Sequence, residues 1–94
     1  MKQHITKEQW LELGEENRED LVENEIFNSL LPSIGEMIEF LGELDIQNPI
    51  EVMTGTIVSI DGWRVVKYFD DGSNGWEKEE LCDALWEAVK HKLK

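Results

Sequence analysis

The chain of 94 residues has the length of one small domain, and its hydrophobic content of 40% is ordinary for a globular protein. Its 21 acidic residues outnumber nine basic ones, which gives a formal net charge of −12. Such a charge argues against direct binding to nucleic acid or to an anionic membrane, and it favours a basic protein or a cation as the partner. We therefore expect a single domain over residues 1–94.

The sequence also indicates a cytoplasmic protein. Cys82 is the only cysteine, so an internal disulfide is impossible, which is usual in a reducing compartment. The opening MKQHITKEQW lacks the apolar segment of a signal peptide, and no apolar run reaches transmembrane length.

The first expected element is a short helix. Thr6 and Gln9 have the spacing of a capping box, in which each side chain binds the backbone amide of the other residue. The helix is predicted from Lys7 to Leu13, and Gly14 is expected to end it.

Residues 15–31 are expected to form a second helix. Its first turns are acidic and suit the positive end of a helix dipole. Val22, Ile26 and Leu30 recur every fourth residue, which predicts a buried stripe. Pro32 forbids further helix, so the element should end before it.

A second capping box, Ser33 with Glu36, predicts the third helix. Gly42 is well placed as a left-handed stop. The predicted buried face follows helical spacing and consists of Ile34, Met37, Ile38 and Leu41. Phe40 falls off this face, so it either packs on Leu44 or marks a second buried face.

After a linker over Asp45–Pro49, the composition favours strands. Asp61-Gly62 is a typical two-residue hairpin turn, so Thr56–Ile60 is expected to pair with Trp63–Phe69. Ile50–Met53 is a candidate third strand. A two-stranded hairpin is marginal alone in water, so it should pack on the helices.

The stretch DDGSNGWEKEEL, residues 70–81, resembles a calcium-binding loop in composition. Such a loop needs an oxygen ligand at its third position and a bidentate Glu at its twelfth. These positions hold Gly72 and Leu81. We therefore interpret the stretch as a turn around Asp71-Gly72, with Ser73 or Asn74 capping the last helix.

The last helix has the clearest pattern of the chain. Leu81, Leu85, Val89 and Leu93 form its predicted buried ridge, with Cys82, Trp86 and Ala88 beside it. Acidic residues near its start and lysines near its end suit the helix dipole.

No motif predicts catalysis, a metal site or a cofactor. The two histidines, His4 and His91, lie near the ends of the chain, and Cys82 has no neighbouring histidine in sequence. Glu36, Glu39 and Glu43 recur on one helix and could hold a divalent ion, but such spacing is typical of a solvated helix face. We therefore expect a protein that is not an enzyme.

Two kinds of residue are candidates for partner binding. The acidic residues of the second helix either form a solvated face, dock a basic protein, or mimic the phosphates of a nucleic acid. Aromatic residues are enriched at protein interfaces, and Trp76 is expected to be the most exposed tryptophan because it lies in a turn. The predicted partner-binding residues are Trp76, Tyr68, Glu16, Glu19, Asp20 and Glu23.

Three strings of the chain carry a resemblance to known sequences: ITKEQWLEL at the start, SIGEMIEFLGE in the third helix and CDALWEAVK in the last. Together they resemble small uncharacterised proteins encoded by phages and prophages of Gram-positive bacteria. The resemblance implies a bacterial cytoplasm and a phage-related genome. It implies no activity and no functional residue, but it favours a small binder of a host protein.

We therefore predict an α+β fold with three N-terminal helices, a two-stranded antiparallel hairpin with an optional third strand, and a C-terminal helix around one core. The expected function is non-catalytic binding to a protein partner. The first alternative is a nucleic-acid mimic that inhibits a DNA- or RNA-binding protein, and the second is a small divalent-metal-dependent enzyme. The oligomeric state is left open, although an unpaired hairpin edge would allow a dimer.

Overall fold

In the computed structural model, the described residues form three helices, then five strands, and then a fourth helix. The structure describes residues 2–28, 31–47, 51–54, 57–60, 62–69 and 72–93; for 51–54, 57–60 and Phe69 the description is of the backbone. The helices are α1 (Lys7–Trp10), α2 (Glu15–Glu23), α3 (Ile34–Leu41) and α4 (Leu81–Lys92), and the strands are β1 (Asp45–Gln47), β2 (Glu51–Thr54), β3 (Ile57–Ile60), β4 (Trp63–Phe69) and β5 (Gly72–Lys78). The α+β class predicted from the sequence is confirmed.

Helix α4 lies at the centre of the core, between α3 on one side and strands β4 and β5 on the other. Because neighbours cover it from both sides, its predicted ridge and the residues beside the ridge are both buried. The buried residues of α4 are Leu81, Cys82, Ala84, Leu85, Trp86, Ala88 and Val89. Ile5, Leu21, Met37, Leu41 and Val65 complete the fully buried core around them. The prediction for this helix is confirmed except at Leu93, which follows the helix as its C-cap and is partly buried.

The N-terminal segment is bound to the start of α4 through one polar cluster. Lys2 Nζ donates to Asp83 Oδ1 at 2.6 Å and to Gln9 Oε1 at 2.8 Å, and Gln9 Nε2 donates to the same Asp83 oxygen at 2.7 Å. Gln9 also completes the predicted capping box with Thr6, which is present. One glutamine therefore caps α1 and connects it to α4.

Helix α2 is shorter than predicted, and the residue that it buries is not the one expected. It ends at Glu23, because the Asn24 side chain accepts a hydrogen bond from the Ile26 amide and holds the backbone in an extended conformation. The predicted stripe is wrong: Leu21 is the buried residue of α2, and Val22 is 68% exposed. Leu30 lies outside the described residues.

The predicted end of α1 is wrong, whereas the predicted cap residues of α3 are found at its two ends. Helix α1 ends at Trp10, and Gly14, expected as its stop, is instead the N-cap of α2. Helix α3 begins with the predicted capping box of Ser33 and Glu36, and Gly42 follows it with φ +80°. Phe40 does mark a second contact surface, because its ring lies 5.3 Å from that of Phe27 and 4.3 Å from Lys92 Nζ.

The main sheet has three antiparallel strands in the order β1-β4-β5. Val65 lies opposite Ile46 on one side and Trp76 on the other, so these three residues share the face that packs on α4. Val66 and Tyr68 belong to the opposite face. The expected linker over Asp45–Pro49 therefore contains a strand, and residues 48–49 of it lie outside the described part.

The predicted hairpin about Asp61-Gly62 is wrong. Strand β3 pairs with β2, while β4 pairs with β1 and β5. Asp45 pairs with Val66, and Glu51 pairs with Ile60. Glu51 comes six residues after Asp45, and Ile60 comes six residues before Val66, so the two pairings share one register. Gly55-Thr56, which stands between β2 and β3, is itself a Gly-X sequence of the kind found in two-residue hairpins. The optional third strand is confirmed in β2.

The prediction for residues 70–81 is also wrong in its second half. Gly72–Lys78 forms β5, and α4 begins at Leu81 with Glu80 as an N-cap that makes no side-chain hydrogen bond. Neither Ser73 nor Asn74 caps the helix, because both pair with β4. Asp70 and Asp71 lie outside the described residues.

Candidate functional site

A concave surface lies between α1 and α2. Leu13 and Leu21 anchor this region, with exposed fractions of 6% and 1%. Just after α1, the Leu13 amide donates to the Trp10 carbonyl, and in the first turn of α2 the Arg18 amide donates to the Gly14 carbonyl. The chain therefore turns tightly and places one side of α2 beside Trp10.

We call this concave surface the α1–α2 surface; it has a volume of about 590 Å³ and is open to solvent. Its lining combines an aromatic ring, an aliphatic side chain, three carboxylates and one guanidinium: Trp10, Val22, Glu15, Glu19, Glu23 and Arg18. Such a volume lies within the range of roughly 300–1,000 Å³ that is usual for ligand pockets. Because the surface is shallow, it suits side chains of a larger partner better than an enclosed small molecule.

Arg18 is the unusual member of this lining. Its Nε atom is buried, yet it has no hydrogen-bond partner among the described residues. A buried donor without an acceptor costs about 1–3 kcal/mol, so most such groups in native proteins find a partner. Arg18 is also the only base between residues 8 and 45, so it is the only positive side chain in that segment that offsets repulsion among the acidic residues.

One side of the Trp10 ring packs against the core. Its ring centroid lies 6.4 Å from that of the fully buried Trp86 at an interplanar angle of 35°. The Trp86 indole donates to Glu12 Oε1 at 3.3 Å, and Lys90 lies 3.5 Å from Glu12 Oε2. Trp10 is therefore a partly buried ring on a rigid support.

Two aliphatic side chains near this surface are exposed to an unusual degree. Val22 is 68% exposed and Leu11, which follows α1, is 55% exposed. Exposed apolar residues surrounded by polar ones are typical of protein-binding surfaces. Together with Trp10 they give the acidic region an apolar component.

The structure divides the predicted partner-binding residues among three places. Glu16, Glu19, Asp20 and Glu23 are all exposed on α2, and Glu19 and Glu23 of these line the α1–α2 surface. Tyr68 is 64% exposed on the open face of the sheet. Trp76 lies on the opposite face of the sheet, so the six residues form no single surface.

The expectation that Trp76 is exposed in a turn is wrong. It is partly buried in β5 and packs against the core, with its ring 5.5 Å from that of His91. The cause is the strand itself, because pairing opposite Val65 directs residue 76 toward α4. Asn74, which shares that face, lies 3.4 Å from His91 Nε2.

The open face of the sheet carries a polar network across all three strands. Arg64 donates to Glu77 at 2.8 Å and to Gln47 at 3.2 Å. The Tyr68 hydroxyl donates to Asp45 at 3.1 Å, and this hydrogen bond, together with the nearby carboxylate charge, raises the pKa of Tyr68. Arg64 and Tyr68 are therefore both matched with acceptors on this face.

Neither a reactive thiol nor a metal-binding cluster is found among the described residues. Burial raises the pKa of the Cys82 thiol to about 11, so the thiol is protonated at neutral pH. Within the described part of the chain, no three His, Cys, Asp or Glu side chains come together as metal ligands. Nor is any described helix long and apolar enough to cross a membrane.

No protein-family model, curated protein or solved structure matches the chain. The α1–α2 surface is therefore interpreted from its own chemistry. The residues that sequence reasoning missed are Trp10, Arg18 and Val22. A signal for Arg18 was present, because it is an isolated base within a long acidic segment.

Proposed function

We propose that the chain is a non-catalytic protein-binding module that receives a basic segment of its partner on the α1–α2 surface. The observation that carries the proposal is a concave lining that combines three carboxylates with the partly buried ring of Trp10 and the exposed side chain of Val22. In line with the sequence resemblance, we place this binding in a bacterial cytoplasm, with a host protein as the partner of a phage-encoded module.

The charges of α2 support a basic partner. The helix carries five acidic residues against Arg18, and three of the five line the concave surface. A lysine or arginine side chain seated there would meet several carboxylates within a Debye length, which is about 8 Å at physiological salt. Complementary charge of this kind raises association rates and selects against acidic proteins.

The uncharged part of the lining supports contact with a protein. A cation placed over the face of Trp10 would gain roughly 0.5–1 kcal/mol at an exposed site. Val22 and Leu11 offer apolar area for the aliphatic stems of basic side chains. If the Arg18 side chain reorients on binding, its Nε could donate to a main-chain carbonyl or a carboxylate of the partner.

The experiment is affinity capture from a lysate of a Gram-positive bacterium, followed by calorimetry with the protein that is identified. We compare the natural chain with the double variant Glu19→Gln/Glu23→Gln and with the control Glu39→Gln/Glu43→Gln, which changes the net charge equally at exposed positions elsewhere. The α2 variant should bind about tenfold more weakly at low salt, since each exposed pair contributes roughly 0.2–1 kcal/mol. Equal weakening by both doubles would contradict a defined site.

Nucleic-acid mimicry is favoured by one feature of α2. Glu16 and Asp20 are exposed and lie four residues apart, which is about 6 Å along a helix and comparable with the separation of successive phosphates in one DNA strand. A mimic would be displaced from its captured partner by short duplex DNA, whereas a partner that does not bind nucleic acid would stay bound.

A further inference from the structure

The two edges of the main sheet are built differently. On one side the edge strand β1 has only three residues, and short edge strands resist pairing with other chains. On the other side the edge strand β5 has seven residues, contains no proline, and pairs with β4 one to one without a bulge. Gly72–Trp76 carries no charge, although 32% of the whole chain is charged. The usual protections of an edge are therefore missing along most of β5.

β4 is the only described strand that pairs with β5. A strand at the end of a sheet presents hydrogen-bonding groups on its outer side, and a second antiparallel strand can use them. Five of the seven β5 residues are exposed, and only Asn74 and Trp76, which face α4, are partly buried. Among the described residues, no side chain of β5 other than these two is covered by a helix.

We propose that β5 pairs antiparallel with β5 of a second copy of this chain, about a twofold axis at Gly75. In this register Asn74 lies opposite Trp76 of the second copy, Ser73 opposite its Glu77, and Gly72 opposite its Lys78. No two like charges lie directly opposite each other, which would otherwise destabilise the pair. The result is a continuous six-stranded sheet that carries both α4 helices on the same face.

A second copy fits this edge better than an unrelated strand. The axis lies midway between the two Gly75 residues, so no side chains collide next to it. Glu77 is already paired with Arg64 within its own sheet, and residue 73 of the second copy is an uncharged serine that leaves this pair intact. The edge therefore complements itself in shape and in charge.

The size of the contact and the charge of the chain predict weak, salt-dependent association. Seven residues span about 24 Å of strand, so the strand contact alone falls below the roughly 1,000 Å² of stable interfaces. Each copy carries a net charge of −12, which opposes association most strongly at low salt. Added salt should therefore tighten the dimer, whereas it should weaken the binding of a basic partner.

The test is sedimentation equilibrium of the full chain over a range of concentrations up to about 1 mM and at two salt concentrations. Ser73→Lys places a lysine opposite Glu77 of the second copy, Ser73→Glu places a like charge there, and Glu39→Gln changes the net charge by the same amount as Ser73→Lys at an exposed site on α3. Relative to Glu39→Gln, Ser73→Lys should lower the dimer dissociation constant about threefold, and relative to the natural chain Ser73→Glu should raise it by a similar factor.

Two results would overturn the proposal. The first is a monomer at all concentrations and both salts, for the natural chain and for Ser73→Lys. The second is a dimer whose dissociation constant changes with net charge alone, so that Ser73→Lys and Glu39→Gln are equal. Because Ser73 is exposed, urea unfolding should show both residue-73 variants to be folded at the concentrations used.

Discussion

Replacing Asp83 by Asn tests how the N-terminal segment is held to the core. Oδ1 of Asp83 accepts from Lys2 Nζ at 2.6 Å and from Gln9 Nε2 at 2.7 Å. The side chains of Lys2 and Asp83 are 26% and 30% exposed, so this ion pair lies between a surface pair and a buried one. The substitution keeps the shape of the side chain and removes its charge.

The expected loss of unfolding free energy is about 1–2 kcal/mol at neutral pH. Exposed ion pairs contribute roughly 0–1 kcal/mol, and breaking a buried pair costs about 3–5 kcal/mol. The amide oxygen of Asn still accepts one hydrogen bond, which keeps the cost near the lower end. For a chain of this length, each 1 kcal/mol lowers the melting temperature by about 4–8 °C.

The stability lost through Asp83→Asn should depend on pH, because the pKa of Asp83 differs between the folded and unfolded states. Burial by itself would raise the pKa of Asp83, but the hydrogen bonds from Lys2 and Gln9 and the charges of Lys2 and Lys78 bring it below the usual value. A carboxyl whose pKa is lower in the folded state stabilises the protein above its unfolded pKa of about 3.9. That stabilisation is lost as the pH falls through the folded pKa.

The assay is urea unfolding of the natural chain and of Asp83→Asn at about pH 7 and at about pH 3. Glu39→Gln serves as the control, because it removes one exposed carboxylate and should change stability by less than about 0.5 kcal/mol. The difference between the natural chain and Asp83→Asn should shrink toward zero at the lower pH. An equal difference at both pH values, or a loss no larger than that of the control, would refute the reasoning.

Three further predictions concern single residues. Gly42→Ala should destabilise the protein by about 1–2 kcal/mol in thermal unfolding, because φ at this residue is +80°. Gly35→Ala should instead stabilise it by roughly 0.5–1 kcal/mol, because Gly35 lies inside α3 and no atom lies near the added carbon. Native Cys82 should react slowly with a thiol reagent at neutral pH and quickly in urea, because it is buried with a pKa of about 11; fast native reaction would contradict this. Asp45→Asn should lower the pKa of Tyr68 in a spectroscopic titration, and an unchanged pKa would contradict the assigned hydrogen bond.

Features that depend on neighbours in sequence could be predicted. The capping boxes of Thr6 with Gln9 and of Ser33 with Glu36 need only the correct spacing, and both are present. Gly42 stops α3 because glycine alone adopts its backbone conformation without strain. The buried ridge of α4 follows from its helical period.

Strand pairing could not be predicted in the same way, because it depends on competition between distant segments. Asp61-Gly62 and Gly55-Thr56 are both plausible hairpin turns, and the choice depends on the pairing of both edges of β4, with β1 and with β5, which leaves no edge for β3. That pairing also moved Trp76 from an expected turn to the packed face of the sheet. Propensity gave β5 no sign of being a strand, since Gly72–Lys78 contains two glycines, a serine and an asparagine.

The candidate site was predicted in part. Glu19 and Glu23 were named from the acidic character of α2, and both line the concave surface. Val22 was assigned to the core because the helix was expected to continue past Asn24. The exposure of Val22 follows from the early end of α2 and from the burial of Leu21, neither of which local spacing determines.

The central claim is that the α1–α2 surface receives basic side chains, and nuclear magnetic resonance tests it most directly. The ¹⁵N-labelled chain is titrated with a lysine-rich peptide, and an acidic peptide of equal length is the control. The chain has two arginines, Arg18 and Arg64, so the Arg18 Nε–H signal can be assigned by comparison with Arg18→Lys. We predict saturable shifts of that signal, of the Trp10 indole and of the α2 amides; small shifts spread over all acidic segments, or shifts centred on Tyr68, would contradict the claim.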